Sequence, residues 1–466
     1  MTAVQPAEDQ HFEATVPLLV VGAGACGLTA AIAAREAGAE VVVLERDASP
    51  SGSTSLSSGF VPAAGTRFQA QQGIADSPAA FAADIQAKAK GKACSGLVRL
   101  VTEAAAPAIE WLSDDHGLGF HLVTGFKYPG HRVLRMHATP ARTGVDLEAR
   151  LLQAARAAGA EIMTSARVAD LFAATDGRVR GLRILRPDGS AETLGCGALI
   201  LASSGFGGDP DLVARHIPEM KDAQYFGHAG NRGEALRWGE ALGAGLKHLG
   251  ACQGHGSVAT PHGILISWAL MMEGGVQVNA EGRRFSDEHA GYSEQALAVL
   301  RQPGGVAWDV FDERLRALGL EFEDFRNAEA AGAIRQGATP EALAEATGLP
   351  SGPLSETLKS IRRSQAGLQR DPFGRDFTGK PPLGAPYYAV KVTGALFHTQ
   401  GGLAVDDQAR VQCTGGGSLP NLFAGGGAAC GVSGPAIEGY LSGNGLLTAI
   451  TLGRIAGRHA ADLLRA

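Results

Sequence analysis

The sequence lacks the features of several protein classes. Its first 15 residues contain acids but no Lys or Arg, so they lack the positive region of a signal peptide. No run approaches the roughly 18 to 20 apolar residues of a membrane span. Basic residues are scattered and the formal net charge is −6, which leaves no basic stripe to follow a nucleic acid backbone. We therefore expect a cytoplasmic protein with no membrane span and no nucleic-acid partner.

Cysteine is also sparse. The six cysteines of the 466 residues lie far apart, without a C-x-x-C pair or zinc-ligand spacing. This pattern indicates reduced, mostly buried thiols and predicts no metal site. The composition is otherwise ordinary for a chain that forms two domains. Residues 1–13 are expected to form a loose tail.

Glycine, by contrast, is abundant, with 65 of 466 residues, about twice the usual share of roughly 7%. Gly22-Ala-Gly-Ala-Cys-Gly27 matches the motif G-x-G-x-x-G between a predicted strand at 16–21 and a predicted helix at 26–37. There the glycines turn the chain, admit backbone to a pyrophosphate and pack helix on sheet. After a second strand at 39–44, Glu45 is placed to accept hydrogen bonds from ribose hydroxyls. The βαβ unit therefore predicts a parallel sheet that binds an ADP moiety.

The remaining pattern predicts a cofactor domain interrupted by an insertion. Within the cofactor domain we expect a helix at 145–158, strands at 160–164, 178–185, 198–202, 387–391 and 422–424, and a last helix at 446–464. The insertion has helical stretches at 340–347 and 354–363 and a charged connection at 321–327. The predicted domains are 14–255 (cofactor domain, first part), 256–386 (capping and substrate domain) and 387–466 (cofactor domain, second part).

The G-x-G-x-x-G motif at 22–27, here called the fingerprint, does not by itself distinguish an NAD site from an FAD site. Ser51-Gly-Ser-Thr-Ser-Leu-Ser-Ser-Gly59 is a glycine and hydroxyl run just past Glu45, suited to continue along the pyrophosphate toward a flavin. Here the sequence resembles the soluble flavoproteins that include fumarate reductases, urocanate reductases and 3-ketosteroid Δ1-dehydrogenases. The resemblance extends from Val16 to Gly457. Its other motifs are at 165–168, 202–207, 275–285, 398–402 and 424–457.

The resemblance implies an α/β fold, a Rossmann-like FAD-binding domain of the GR2 type with an inserted α+β capping domain. Membrane-bound relatives hold FAD covalently through a histidine, where this chain has the Ser53 region, so we expect non-covalent FAD. The family's usual glutamate near the C-terminal glycine turn is Gly427 here. The implied cofactor contacts are Gly22, Ala23, Gly24, Ala25, Cys26, Gly27, Glu45, Arg46, Ser53, Thr54, Ser58, Gly59, Val168, Ala202, Ser203, Gly205, His398, Gly426, Gly445 and Leu446.

Two positions argue against a dicarboxylate substrate. Fumarate reductases of this family clamp their substrate with a histidine and an arginine at the positions that Phe397 and Tyr440 occupy here. A carboxylate without a cationic partner in a closed site costs several kcal/mol. Reduction of a C4-dicarboxylate is therefore not expected.

Three tyrosines instead resemble those of the 3-ketosteroid Δ1-dehydrogenases. Tyr440, with the backbone N–H of Asn444, matches the pair that binds the ketone oxygen. Tyr292, four residues after the glutamate of Arg284-Phe-Ser-Asp-Glu288, matches the base, and Tyr128 the tyrosine that assists it. A donor on the carbonyl stabilises the enolate while the base takes the α-proton and the β-hydrogen leaves as hydride to flavin N5.

The leading hypothesis is thus an enzyme that introduces a double bond beside the ketone of a steroid or smaller cyclic compound, using a small-molecule carbonyl substrate and an unidentified electron acceptor. One alternative is an enoate reductase that acts on a non-dicarboxylate acid with Arg316 as proton donor. A flavoprotein that carries electrons without substrate chemistry is a third hypothesis.

Overall fold

The computed structural model describes residues 3–466, which divide into two compact units. The first unit contains the described residues up to Pro218 together with Gly227–Cys252 and His398–Ala466. The second contains Glu219–Phe226 and Gln253–Phe397. The α/β class expected from the sequence is confirmed.

The α-helices in the described part of the chain are α1 (Ala25–Glu36), α2 (Arg67–Gln71), α3 (Pro78–Lys88), α4 (Ser95–Asp114), α5 (Gly144–Ala157), α6 (Pro210–His216), α7 (Glu234–Ala241), α8 (Ala269–Met272), α9 (Tyr292–Leu300), α10 (Glu313–Gly319), α11 (Glu323–Ala330), α12 (Pro340–Thr347), α13 (Ser351–Gln365) and α14 (Asn444–Arg465). None of these helices has both the length and the apolar character that crossing a membrane requires.

The strands of residues 3–466 are β1 (Ala3–Pro6), β2 (Ala14–Val21), β3 (Val41–Leu44), β4 (Val61–Pro62), β5 (His121–Leu122), β6 (Met136–Ala138), β7 (Glu161–Met163), β8 (Arg167–Ala173), β9 (Val179–Leu185), β10 (Ala191–Leu201), β11 (Gln224–Tyr225), β12 (Leu246–Lys247), β13 (Cys252–Ala259), β14 (Ile264–Leu265), β15 (Val276–Val278), β16 (Val306–Asp312), β17 (Ile334–Gly337), β18 (Tyr387–Thr399), β19 (Gly402–Leu403), β20 (Arg410–Gln412) and β21 (Ser418–Ala424).

The main sheet of the first unit has the order β1-β8-β9-β10-β2-β3-β7, and β21 pairs with β10 on a branch. Strands β7, β3, β2, β10 and β21 are parallel to their neighbours in that series, whereas β9 is antiparallel to β8 and β10, as its alternating pattern predicts. Strands β2, β3, β10 and β21 therefore end at one edge, where the loops after Val21, Leu44, Leu201 and Ala424 begin. In open parallel sheets this edge is where ligands bind.

The expected N-terminal tail is partly wrong. Residues 3–6 form the edge strand β1, which pairs in parallel with β8 from Ala3 opposite Asp170 to Pro6 opposite Ala173. An edge strand is held by backbone hydrogen bonds that a short polar sequence does not announce, and this explains the error. Residues 1 and 2 lie outside the described residues.

Helices α1 and α14 pack closely through two glycines of α14. A Cβ at Gly453 would lie 2.4 Å from the carbonyl oxygen of Cys26, and a Cβ at Gly457 would lie 2.1 Å from that of Ala30. Both distances are shorter than any Cβ contact, so only glycine permits this approach. The last helix thereby supports the helix that follows the fingerprint.

The second unit contains a sheet with the order β14-β13-β18-β16-β15, with β11 and β17 also on β18. Helix α12 spans Pro340–Thr347, as predicted. The charged connection expected at 321–327 is wrong, because Glu323–Ala330 forms helix α11. Phe325 and Ala328 are fully buried and give this acidic segment an apolar face three residues apart.

Candidate cofactor site and active site

The fingerprint turn has no room for side chains at two of its glycines. Gly22 has φ +105°, and a Cβ there would lie 2.5 Å from the carbonyl oxygen of Ala202. A Cβ at Gly27 would lie 1.9 Å from the carbonyl oxygen of Gly22. Strand β2, the turn and α1 are therefore fixed in the close arrangement that brings backbone N–H groups to a phosphate.

Side-chain oxygens hold the start of α1. Glu45, at the end of β3, accepts hydrogen bonds from the N–H of Ala23 and of Asp47, each at 3.0 Å. The Thr54 hydroxyl accepts from the N–H of Ala25 at 2.9 Å. The N-cap residue Gly24 offers no side-chain oxygen, so the other N–H groups of the first turn depend on another acceptor.

The loop at 51–59, which is rich in serine and threonine hydroxyls, packs on the start of α5. Gly59 has φ +70°, and a Cβ there would lie 2.6 Å from the carbonyl oxygen of Thr143. A Cβ at Gly144 would lie 2.0 Å from that of Thr54. The Ser53 hydroxyl lies 3.4 Å from that of Ser204 and accepts from the Asn231 amide at 3.1 Å. These contacts attach the loop to the β10 end of the sheet.

Two other predicted cofactor residues of this region are Ser58 and Arg46. Ser58 is exposed. Arg46 donates to the carbonyl oxygen of Gly230, and its guanidinium lies 3.7 Å from the Glu234 carboxylate. The structure thus shows protein partners for Arg46 and a solvent-facing position for Ser58.

The segment expected to contact adenine lies beside the predicted ribose acid. The N–H of Ala166 donates to the carbonyl oxygen of Glu45, and that of Ser165 to the carbonyl oxygen of Asp47, both at 2.8 Å. Val168 follows on β8 and is buried. The structure therefore brings the residues that follow β3 next to the residues that precede β8, as the predicted adenosine contacts require.

The glycine turn after β21 meets the loop after β10. A Cβ at Gly205 would lie 1.9 Å from the Thr399 hydroxyl oxygen and 3.2 Å from the carbonyl oxygen of Gly427. Gly426 has φ +56°, and a Cβ there would lie 3.1 Å from the Cβ of Cys26. The backbone of this turn thus closes over the N-terminus of α1.

Two buried polar atoms of the first unit fit a bound cofactor. Ser203 Oγ and Asn444 Oδ1 are buried and have no hydrogen-bond partner among the described residues. Ser203 lies beside the fingerprint, since a Cβ at Gly22 would lie 3.1 Å from its Cα. Buried polar atoms are rarely left without a partner. The fingerprint, the ribose acid and these atoms together fit FAD.

A chain of hydrogen bonds runs from the first residue of α14 to His398. The Asn444 amide donates to the Ser433 hydroxyl at 3.0 Å, which donates to Gln400 Oε1 at 2.9 Å. The Gln400 amide then donates to His398 Nδ1 at 3.0 Å. The same Nδ1 also lies 3.3 Å from the carbonyl oxygen of Thr399. Burial lowers the pKa of His398 to about 4, so the ring is a neutral donor at pH 7.

Tyr440 and Gly445 contact this imidazole from two sides. The rings of Tyr440 and His398 meet edge to face with centroids 5.7 Å apart. A Cβ at Gly445 would lie 3.0 Å from His398 Nε2. Tyr440 is 5% exposed. The structure therefore brings together three of the predicted residues, a phenol, a neutral imidazole and the first turn of α14.

The predicted ketone-binding N–H has a protein partner. The N–H of Asn444 donates to the carbonyl oxygen of Leu441 at 3.1 Å. A substrate oxygen there would have to share or displace this bond. Gly445 and Leu446 follow within the first turn of α14, where N–H groups lack intrahelical acceptors.

Tyr128 belongs to an aromatic cluster of the first unit. Its ring contacts those of Phe126 and Phe60, with centroids 5.1 Å and 6.4 Å apart. Tyr292 belongs to the second unit. The assistance of Tyr292 by Tyr128 therefore stays a prediction.

Tyr292 is the first residue of α9 and is part of a stack of rings in the second unit. His255 lies against Tyr292, with centroids 4.9 Å apart and planes at 27°, and against Phe397 at 5.3 Å and 24°. Phe397 in turn stacks on Phe226 at 4.8 Å, and Trp268 meets His255 edge to face. His255 Nδ1 accepts from the N–H of Ser257, and burial lowers the His255 pKa to about 3. The stack is therefore neutral.

Arg316 has acidic partners on the surface of the second unit. Its guanidinium donates to Glu329 at 2.7 Å and to Glu313 at 3.0 Å, and it lies over the Tyr388 ring. The two carboxylates raise its pKa. A proton donor with this environment would first have to leave two ion pairs.

A cluster of buried charges includes Arg284 and Glu288, at the end of and just after the motif at 275–285. Glu288 accepts from Arg284 at 2.7 Å and from Arg375 at 2.9 Å, and Arg284 also pairs with Asp371. The side chains of these four residues are between 0% and 4% exposed. The sequence suggested Glu288 only as a marker for Tyr292 and gave no signal for Arg375 or Asp371, which are more than 80 residues away.

Three comparisons with known proteins agree on the family. The family described as an FAD binding domain matches residues 18–446. The chain is 30% identical over 449 residues to the probable fumarate reductase Ifc3 of Shewanella frigidimarina, covering 96% of this chain and 75% of that protein.

Two solved structures are similar. The open conformation of a flavocytochrome c3 fumarate reductase superposes with a TM-score of 0.83 at 29% identity, covering 99% of this chain and 80% of that one. The 3-ketosteroid-Δ4-(5α)-dehydrogenase of Rhodococcus jostii RHA1 gives 0.79 at 23% identity, covering 99% and 100%. At 23% identity, the similarity to the second structure is evidence for a shared fold alone.

Proposed function

Because the chain belongs to the FAD binding domain family and is an FAD-dependent oxidoreductase that acts on CH–CH groups, we propose that it introduces a carbon–carbon double bond next to the ketone of an uncharged cyclic substrate. Bound FAD supplies the two-electron acceptor. The contact between Tyr440 and the neutral His398 carries the proposal. Both side chains offer uncharged hydrogen-bond donors, which suit a ketone oxygen better than a carboxylate.

Tyr440 acts on the carbonyl. Its hydroxyl donates a hydrogen bond to the ketone oxygen and stabilises the charge that develops there when the α-proton leaves. His398 is a positioning residue, since its edge contact orients the Tyr440 ring and the Gln400 amide holds the imidazole at Nδ1. The first turn of α14 places its N–H groups beside this pair.

Tyr292 takes the α-proton in this proposal. Its ring is 8% exposed and rests on the neutral His255. A phenol has an ordinary pKa near 10, so it works as a base only when the proton moves together with carbonyl activation. This role follows from the resemblance of Tyr292 to the base of the 3-ketosteroid Δ1-dehydrogenases.

The stacked rings of the second unit support an uncharged substrate. Flat apolar molecules bind favourably against aromatic faces. A carboxylate buried against neutral His255 and Phe397 would lack a cationic partner, which costs several kcal/mol. A neutral stack of this kind would suit a ring-bearing ketone better than a small acid.

The test uses purified holoenzyme, an artificial electron acceptor and a panel of cyclic ketones and unsaturated acids. Tyr440→Phe should lower kcat/KM for the ketone by about 10²-fold to 10³-fold, because one donor to the developing oxyanion is lost. Tyr387→Phe, which removes the hydroxyl of a buried tyrosine on β18, is the matched control and should stay within about threefold of the native enzyme. FAD content, read from the visible spectrum, should be equal in both variants.

The second candidate is an enoate reductase for a non-dicarboxylate acid, which the similarity to a fumarate reductase favours. In that case reduced flavin is oxidised by unsaturated acids, ketones are inert, and Arg316→Lys lowers turnover. Turnover of acids alone, with Tyr440→Phe fully active, would contradict the ketone proposal.

A further inference from the structure

The chain makes a tight turn between Tyr440 and the start of α14. The N–H of Asn444 donates to the carbonyl oxygen of Leu441 at 3.1 Å, and Gly443 has φ +86° and ψ −4°. Ser442 is not one of the described non-glycine residues with positive φ, so the turn from Leu441 to Asn444 is of type II. This turn connects the phenol of the proposed site to the last helix.

A type II turn differs from a type I turn in the orientation of its central peptide. Between the two types, ψ of the second residue changes by roughly 150° and φ of the third by roughly 170°, which points the central carbonyl to the opposite side. Here the central carbonyl belongs to Ser442. Glycine adopts both signs of φ, so Gly443 does not by itself select one orientation. The direction of the Ser442 carbonyl therefore depends on a contact from another segment.

His131 provides that contact. Its Nε2 lies 3.0 Å from the carbonyl oxygen of Ser442, and its Nδ1 lies 3.2 Å from Nη1 of Arg135. A guanidinium only donates hydrogen bonds and a carbonyl oxygen only accepts them. The imidazole therefore accepts at Nδ1 and carries its proton on Nε2, which donates to Ser442.

Arg135 is fixed in turn by two buried carboxylates. Its Nε and Nη2 donate to the two oxygens of Asp76 at 2.8 and 2.9 Å, and its Nη1 donates to Asp84 at 2.8 Å. His131 is also buried, with 4% exposed. Burial and the Arg135 charge lower the pKa of His131 to about 4, against the opposite effect of the two carboxylates. The imidazole is therefore neutral at pH 7, as its two hydrogen bonds require.

Close packing holds the turn from two sides. A Cβ at Gly130, the residue before His131, would lie 2.7 Å from Cδ1 of Leu441. A Cβ at Gly443 would lie 2.5 Å from Cδ of Pro62 on β4. Because little free space surrounds the turn, a rotation of its central peptide has to move the residues beside it.

We propose that His131 is a positioning residue that holds the Ser442–Gly443 peptide in the type II orientation and thereby orients Tyr440 toward the ketone. The second half of this proposal rests on the proposed function, in which Tyr440 contacts the substrate. Without the donor on His131 the peptide can rotate toward the type I orientation, and Tyr440 and the first turn of α14 shift with it. Arg135 acts one step further away, because it keeps the imidazole proton on Nε2.

The first test observes this hydrogen bond and needs no substrate. Holoenzyme with nitrogen-15-labelled histidine is studied by NMR, and the His131 signal is the one of 13 histidine signals that His131→Gln removes. We expect a bare Nδ1 and a protonated Nε2 from pH 8 down to about pH 5, because the pKa of His131 is lowered to about 4. A proton on Nδ1, or titration near the ordinary value of about 6.5, would overturn the proposal.

The second test measures steady-state kinetics with the ketone and an artificial electron acceptor. His131→Leu should lower kcat by about 10-fold and change KM by less than about threefold, because Tyr440 acts mainly in the transition state. His131→Gln should recover most of this loss, since its amide can place an N–H near the position of Nε2. His137→Leu, which removes another fully buried imidazole of the first unit, is the matched control and should keep kcat within about threefold.

A double-mutant cycle distinguishes positioning from a general loss of stability. If His131 acts through Tyr440, His131→Leu should change kcat by less than about twofold in the Tyr440→Phe background. The same fold loss in both backgrounds would contradict the positioning role. Turnover of unsaturated acids alone, with Tyr440→Phe fully active, would contradict the proposed function instead, and the NMR signal of His131 would then decide whether it holds the turn.

Discussion

The fingerprint turn of the first unit and the buried charge cluster of the second unit stabilise polar groups by different means. Around the fingerprint of the first unit, close backbone approach at Gly27 and neutral hydrogen bonds such as that of Thr54 position the chain. The second unit instead buries the charges of Arg284, Glu288 and Arg375. The first arrangement should fail when an atom is added, and the second when a charge is removed.

The largest effect is expected for Gly27→Val. Its Cβ would lie 1.9 Å from the carbonyl oxygen of Gly22, so the turn has to move as a whole. We expect FAD content to fall to less than about a tenth, with a loss of about 3 kcal/mol or more in the free energy of unfolding. Absorbance of the purified protein and urea unfolding measure both. Gly96→Ala is the control, because no atom lies within 4 Å of a Cβ there, and it should keep its FAD.

Glu288→Gln should destabilise the second unit by about 3 to 5 kcal/mol, because it removes the negative partner of two buried arginines. Arg375 would keep only carbonyl partners, those of Gly275 and Met271. Urea unfolding followed by fluorescence measures the loss. Glu356→Gln breaks an exposed pair with Lys359 and should change stability by less than about 1 kcal/mol. Equal effects of the two changes would contradict the expectation that the buried cluster around Glu288 contributes more to stability than an exposed ion pair.

Asp309 should make stability depend on pH. Burial raises the pKa of this carboxyl to about 7, while Ser257 and Gln277 donate to its two oxygens. Because the folded state holds the proton more tightly than the unfolded chain, this contribution is full below about pH 4 and is lost as the pH rises through about 7. Asp309→Asn should therefore gain a few degrees in Tm relative to the native protein between pH 5 and pH 8.

The exposed Asp376 provides the control for this titration. Its pKa is lowered by Thr378, and Asp376→Asn should leave the difference in Tm between pH 5 and pH 8 close to the native value. A native Tm profile that matches that of Asp309→Asn at every pH would contradict the buried titration.

Thr54→Ala should have the smallest effect, a loss of about 1 kcal/mol, since the N–H of Ala25 loses its acceptor. Thr54→Ser keeps the hydroxyl and should restore most of the stability. Thermal unfolding of the two variants compares them directly. If both lose stability equally, the methyl group rather than the hydrogen bond is responsible.

Local sequence patterns were sufficient to predict the βαβ unit that contains the fingerprint. Strand, glycine turn, helix and acid lie within 30 consecutive residues, and each has its own sequence signal, so residues 16–45 were assigned correctly as a βαβ unit. The helix α12 was also assigned to the residue, because Thr339 is an N-cap followed by Pro340 and Gly348 ends the helix.

Contacts between distant segments were not predictable. Asn444, Ser433 and Gln400 form one hydrogen-bond chain from three separate segments, and no spacing rule connects them. Strand β1 was missed because its pairing is through backbone atoms. Sequence reasoning recovered what neighbouring residues determine, and tertiary packing determined the rest.

The two glycines by which α14 packs on α1 have a consequence for biosynthesis. During translation, α1 emerges early, but the surface of α1 that Gly453 and Gly457 cover stays exposed until helix α14 has left the ribosome. The first unit therefore completes the packing behind its cofactor site only after α14 has been made, and the interval favours protection by chaperones. Chains that stop shortly before residue 444 would leave this surface of α1 uncovered, and we expect them to bind FAD poorly.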